Sequence, residues 1–326
     1  MKMDTLFEYQ PATQELDRLL EGQSLPLREW SRTQQRRAEL VQSEFSSLDR
    51  SFSIGMWAPV MGYAFFAGYQ MAISRLLGAR YSAKDLYALC VTEASGNSPA
   101  LIETMLLPGV DSVEGCPQRL LHGVKSFVTG GELVDKLLVL AVDEQLPNGR
   151  KAFKLVEVPV ADLSGQRLRT TTLPALSLVP EIPHCAIGFD HLPVSSDWVL
   201  SGDGYDKYVR GFRWLEDTHV LAALLGFLYS VGRYWQNRDL VLLSLALFNG
   251  VSSFARSPDS GSSSVVIYGW LVTELERGLL RLTTDVIPEN AVLARQIRRD
   301  VALLKLAQSA RERREEKVWR NWQIIP

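Results

Sequence analysis

The spacing of apolar positions changes character twice along the chain. Residues 12–80 read as helical. The stretch LREWSRTQQRRAELVQSEFSSLDR mixes charge with apolar residues three and four apart, the period of an amphipathic helix. The next stretch, MWAPVMGYAFFAGYQMAISRLL, is apolar nearly all round and predicts a buried helix. Its small residues, Gly62, Ala64, Ala67 and Gly68, allow a neighbouring backbone to come close.

From Tyr87 to about Leu200 the runs shorten and are broken by Gly, Pro and Asp. DLYALCVTE, GVKSFVTGG, KLLVLAV, AFKLVEVPV, LRTTTL and AIGFDHLPV are rich in β-branched and aromatic residues and predict strands. Turn signals at roughly ten-residue spacing favour a sandwich or barrel over βαβ units. Residues 97–106 predict a short helix within this region. The helical period returns after Asp206, with one long stretch over 208–254. The patch SPDSGSSS at 257–264 breaks it. A second helix is expected over 265–282, a stop at Pro288, and a third helix over 290–322. The expected fold class is therefore α+β, with three parts: an N-terminal helical lobe (1–85), a middle β-barrel or sandwich domain (86–203), and a C-terminal helical bundle (204–326).

Composition narrows the functions. The 326 residues are 46% hydrophobic and 22% charged, which suits a globular chain with a large core. A formal net charge of −2 gives no electrostatic basis for binding nucleic acid. Cys90, Cys116 and Cys185 are too few and too scattered for a disulfide framework or a metal cluster, and a reduced cytoplasmic setting is expected. The N-terminus MKMDTLFEYQ has no uninterrupted apolar core of a secretory signal. VLAALLGFLYSVGRYW carries Arg233, and LVLLSLALFNGV falls short of the roughly 20 residues a membrane span needs, so no span is expected. No HExxH, CxxC, Walker-type loop or GxGxxG occurs.

Three segments resemble one family in order. Thr92-Glu93 followed by Ser98 resembles the TEPxAGSD turn of the acyl-CoA dehydrogenases. GVKSFVTGG, Gly123 to Gly131, resembles their G-x-K-x-(Trp/Phe)-(Ile/Val)-Thr-Asn-Gly strand. AIGFDHLPVSSDWVLSGDGYD resembles the segment that leaves their β-domain. The order of helices, strands and helices matches as well. The resemblance implies an FAD-dependent α,β-dehydrogenation of an acyl thioester, with a carboxylate taking the α-proton and hydride passing to the flavin. It implies that Thr92 bonds the pyrimidine edge of the isoalloxazine and that Ser98 lies near pyrophosphate and substrate. Phe127 would flank the ring, and Thr129 would donate on the N5 side. Donors at these places favour hydride acceptance without adding a titrating charge.

The chain departs from the family in four places. Asn97 and Pro99 flank Ser98 where the family has Gly and Asp, and Gly130-Gly131 replace Asn-Gly. The Arg-x-x-Phe-Gly motif is missing; FNGVSSFARSPDSG stands there, with Arg256 a poor substitute. The chain ends at Pro326, before the late Tyr-Glu-Gly-Thr loop that usually supplies the base, so the sequence reads as a divergent, truncated member. A minority of the family takes its glutamate from the start of the first C-terminal helix, and FRWLEDTHVLAA offers Glu216 or Asp217 there. Both also suit a helix N-terminus on electrostatic grounds alone. His219 nearby is expected to be structural. The alternatives are a catalytically incomplete homologue serving as partner subunit of a complete dehydrogenase, and a flavin monooxygenase on the same scaffold. Expected partners are an acyl-CoA or acyl-carrier thioester and a homo- or hetero-oligomer built through the VLLSLALF stripe.

Overall fold

The computed structural model describes residues 25–40, 45–109, 119–160, 167–254, 261–285, 292–305 and 308–324. Cys116, Arg256, Pro288 and the first half of the SPDSGSSS patch lie outside them. The described chain forms two compact units. A helical unit takes the residues up to Ala72, Ser177–Pro180, and those from Glu216 onward. A sheet unit takes Ile73–Leu176 and Glu181–Leu215.

The helical unit is built from α1 (Leu27–Leu40), α2 (Ser47–Gly55), the first part of α3 (Met61–Leu77), most of α4 (Phe212–Tyr234), α5 (Arg238–Phe254), α6 (Ser262–Asp285), α7 (Val292–Asp300) and α8 (Gln308–Asn321). A capping box starts α2: the Ser46 hydroxyl accepts from the Asp49 amide, and the Asp49 carboxylate accepts from the Ser46 amide. Helix α4 is apolar all round because it is buried all round, with Leu221 to Leu225, Phe227 and Leu228 all enclosed. Backbones meet directly on it. A Cβ on Gly226 would overlap the Phe52 carbonyl oxygen of α2, and one on Gly68 of α3 would stand 2.5 Å from the Val220 Cα. The small residues expected to permit close packing in α3 therefore do so at Gly68.

The long helix expected over 208–254 is two helices. Gln236 adopts φ 53, in the left-handed region, and ends α4. The Asn237 side chain then accepts from the Leu240 amide at 2.9 Å and starts α5. The helix expected over 290–322 is likewise α7, a 3₁₀ segment Val301–Lys305, and α8. At the end of α7 the buried Asp300 carboxylate accepts from the Val179 amide at 2.9 Å.

The sheet unit holds seven strands: β1 (Tyr87–Cys90), β2 (Met105–Pro108), β3 (Arg119–Thr129), β4 (Lys136–Gln145), β5 (Lys151–Pro159), β6 (Leu168–Thr172) and β7 (His184–Val194). All six predicted strands are present. The seventh, β2, takes only the last two residues of the short helix expected over 97–106; of the rest, Pro99–Leu101 makes a single 3₁₀ turn. The sheet runs β1-β4-β2-β3-β7-β6, with β5 on the other edge of β4. It is mixed: β1 and β2 lie parallel to β4, and the remaining ladders are antiparallel. Among the described residues no ladder joins β5 to β6: six strands follow one path, and β5 pairs with β4 off it. No helix of the described chain is long and apolar enough to cross a membrane.

The β3–β7 ladder carries two irregularities. Leu121 pairs with Leu192 and Gly123 with Phe189, so His122 faces both Asp190 and His191. Lys125 pairs with Ile187 and Val128 with Cys185, so Ser126 and Phe127 together face Ala186. Each is a bulge, the first with its extra residue on β7, the second on β3.

Candidate flavin-binding site

The second bulge changes which side chains β3 sends inward. Before it, odd positions are enclosed: Leu121 and Lys125 are fully buried. After it, even positions are: Val128 is fully buried and Gly130 is enclosed. Side chains alternate faces along a strand, so one surplus residue inverts the parity. Phe127 and Thr129 thereby come to share the outer face. Phe127 is 40% exposed and Thr129 is half-buried.

Thr92 is tied to the same place. Its carbonyl accepts from the Ser126 amide at 2.9 Å and from the Ser126 hydroxyl at 3.4 Å. The chain leaving β1 thus lies against β3 at the bulge. From Ser126 to Thr129 is about 10 Å along the strand, comparable to the length of a tricyclic heterocycle. Thr92, Phe127 and Thr129 are therefore brought together.

Beneath them lies a charged bolt. Lys125, fully enclosed, places its Nζ 2.6 Å from Glu93 Oε1. The Glu93 carboxylate also accepts from the amides of Glu103 (2.8 Å) and Thr104 (3.1 Å). Burial alone would push Glu93 up, but the Lys125 ammonium and the backbone donors outweigh it and hold the carboxyl below its ordinary value. The pair joins the turn after β1, the start of β2 and the middle of β3, and so fixes where Thr92 sits. The lysine partner of Glu93, 32 residues away, has no local sequence signal.

The turn itself is tight. Glu93 and Gly96 exchange backbone hydrogen bonds at 2.9 Å each, and Gly96 adopts φ 125. The glycine-only conformation therefore falls at Gly96 and not at Asn97. Pro99 opens the 3₁₀ turn, where a missing N–H costs nothing. Ser98 precedes it, exposed, its carbonyl accepting from the Leu101 amide. Among the described residues no hydrogen bond ties the Ser98 side chain to the other three. After Thr129, Gly130 and Gly131 take φ 91 and φ 52, both left-handed. Asn-Gly and Gly-Gly are the pairs that tolerate this, which accounts for the substitution.

His184 is a further member that the sequence does not announce. It is the cross-strand partner of Thr129, and its ring stacks on Phe127 with centroids 4.4 Å apart and planes 29° apart. It is buried, and its Nδ1 has no hydrogen-bond partner. Burial pulls its basicity below the ordinary histidine range, opposed only in part by a backbone hydrogen bond at Ile182. The two threonine hydroxyls likewise have no protein partner among the described residues. The outer face thus offers an exposed aromatic ring and uncharged polar groups with unused hydrogen-bonding capacity. That donor set fits the mixed polar and aromatic surface of a flavin.

The two carboxylates considered as base lie in the helical unit, on the first turns of α4. Asp217 is buried and pairs with Arg314 of α8 at 3.0 Å, while its carbonyl accepts from the Tyr268 hydroxyl of α6. Glu216 beside it is half-buried. His219 is structural: its Nε2 meets the Ser47 hydroxyl of α2 at 2.8 Å, and it is fully enclosed.

No family model matches the chain, and no curated protein matches it. Solved structures do. A structure described as an FAD-dependent dehydrogenase aligns at a TM-score of 0.65 with 15% identity, over 96% of this chain and 97% of that one. An acyl-CoA dehydrogenase from Geobacillus kaustophilus aligns at 0.66 with 11% identity, over 92% of each chain. The prolyl acyl carrier protein oxidase AnaB aligns at 0.61 with 12% identity, over 91% and 96%. At such identities the likeness speaks to architecture alone: the chain has the fold of the acyl-CoA dehydrogenase-like flavoproteins.

Proposed function

We propose that this chain binds FAD on the outer face formed by Thr92, Phe127, Thr129 and His184, and dehydrogenates an acyl thioester at the α,β-position. The observation that carries the reading is the β3 bulge. It turns Phe127 and Thr129 outward beside Thr92, next to His184, whose Nδ1 has no hydrogen-bond partner. Neighbours of the same fold include an FAD-dependent dehydrogenase and an acyl carrier protein oxidase, which supports a thioester on coenzyme A or a carrier protein as substrate. Bound there, FAD supplies the hydride-accepting ring. The chain's own part would be to hold and polarise it: Thr92 and Thr129 would donate to its polar edge, Phe127 would cover it, and His184 would support Phe127. Ser98 serves the pyrophosphate or the substrate. Glu216 or Asp217, on the first turns of α4, is the proposed base for the α-proton.

The Asp217–Arg314 pair also favours a second reading, in which the chain binds flavin and contributes to a complete dehydrogenase without a base of its own. One experiment separates the two. Purified protein is mixed with FAD, its absorption spectrum recorded, and acyl-CoA thioesters added under anaerobic conditions. A flavin spectrum bleached by thioester supports dehydrogenation. A flavin spectrum indifferent to every thioester supports the partner role. No flavin uptake overturns both.

A further inference from the structure

The other irregularity of the β3–β7 ladder gathers a different chemistry. One residue of β3, His122, stands opposite two of β7, Asp190 and His191. In an ordinary ladder Asp190 and His191 would point to opposite faces. The bulge removes that alternation, and His191 takes φ 52, a left-handed conformation uncommon for a residue with a side chain. The outcome is that all three side chains lie exposed on one face. The His122 and His191 rings lie with centroids 4.2 Å apart and planes tilted by 33°. His191 Nδ1 is 3.0 Å from Asp190 Oδ1, and His122 Nδ1 is 4.0 Å from the same oxygen. One ligand atom from each of the three lies within 4.8 Å of the others.

We propose that His122, Asp190 and His191 form a surface site for a divalent transition metal of the nickel–copper–zinc group. Two imidazole nitrogens and one carboxylate oxygen are the donor set these ions prefer. Ligands sharing such an ion at about 2.0–2.1 Å stand no more than about 4 Å apart, so a small side-chain rotation closes the site. The exposed side chains make that rotation inexpensive. Water completes the coordination, since the three protein ligands occupy one side. Two arginines temper the affinity: Arg167 donates to the His191 carbonyl at 2.6 Å, and the Arg169 charge acts on Asp190. They disfavour hard cations, which lack the compensating nitrogen bonds, so calcium and magnesium are excluded. The site lies roughly 15 Å along β3 from Phe127, and it does not depend on flavin binding.

The test uses the full chain, stripped with a chelator, at pH 7.5. Zinc chloride is titrated by calorimetry, and one equivalent of copper(II) is examined by electron paramagnetic resonance. The expected result is one zinc per chain, unaffected by excess calcium or magnesium, and a copper spectrum split by two imidazole nitrogens. Zinc also raises Tm, because it bridges two strands of the folded state. The His122→Gln/His191→Gln variant, altered only on the surface, keeps its circular dichroism and loses the splitting and the Tm rise. Asp190→Asn weakens zinc by about tenfold. Unchanged zinc stoichiometry and affinity in the double variant would overturn the assignment, as would a copper spectrum lacking nitrogen splitting in the unaltered chain.

Discussion

The Glu93–Lys125 pair makes a prediction whose order of effects is as telling as its size. At 2.6 Å, with an effective dielectric of 20, the gross attraction is about 6 kcal/mol. Most of that is spent on desolvating an ammonium with no exposed surface and a carboxylate nearly as enclosed. Removing one partner therefore costs more than the net worth of the pair, because it strands the other. In Lys125→Met, Glu93 keeps the amides of Glu103 and Thr104, and a loss of about 3 kcal/mol is expected. In Glu93→Gln the buried ammonium loses its counter-charge and keeps only neutral acceptors, among them the Val91 carbonyl at 3.4 Å, and a loss of about 4 kcal/mol is expected. The double variant removes both charges and should fall short of the sum by at least ~2 kcal/mol. Urea unfolding at neutral pH, followed by circular dichroism, measures all three. Losses below about 1 kcal/mol for both single variants, or additivity within ~0.5 kcal/mol, would refute the bolt.

Two further outcomes follow from the same unit. Glu93 and Glu157 both titrate below their ordinary 4.5, the latter because Arg80 at 2.6 Å and Lys136 at 2.8 Å outweigh its burial. A carboxyl depressed in the folded state contributes stability above its unfolded pKa and loses it as pH falls through the folded one. Tm should thus drop steeply below pH ~4.5, and Glu157→Gln should flatten that drop. The bulge on β3 is tested by two neighbours. Val128→Ala, in the core, should cost about 2 kcal/mol, whereas Phe127→Ala should cost less than ~1 kcal/mol while weakening FAD uptake in a spectroscopic titration. Equal losses at the two positions would contradict the inverted parity.

What the sequence discloses and what it hides divide along the range of the interactions. β3, β4, β5, β6 and β7 declare themselves because β-branched and aromatic residues recur within each run. β2 does not: MLLP is too short to show a period, and it becomes a strand only because β3 and β4 lie on either side. The end of α4 at Gln236 is hidden by apolar residues on both sides, although Asn237 ahead of Arg238-Asp239 is a local start signal. The frames around Thr92 and Thr129 can be read from one segment at a time. His184 cannot, because what distinguishes it is a cross-strand ring and a partnerless nitrogen. Nor can the bulges, which exist only as a mismatch between two strands.

Those two mismatches have a joint arithmetic. From Arg119 to Thr129 β3 advances ten residues, and their partners, Val194 and His184, are also ten apart. The surplus on one strand repays the surplus on the other, and only the stretch between them is offset. Losing either one alone would slide the far end of the ladder by a residue and scramble it. Losing both together would leave the ladder aligned while erasing each bulge's surface. In the lineage of this chain, insertions and deletions at the two places are therefore expected to travel as a pair.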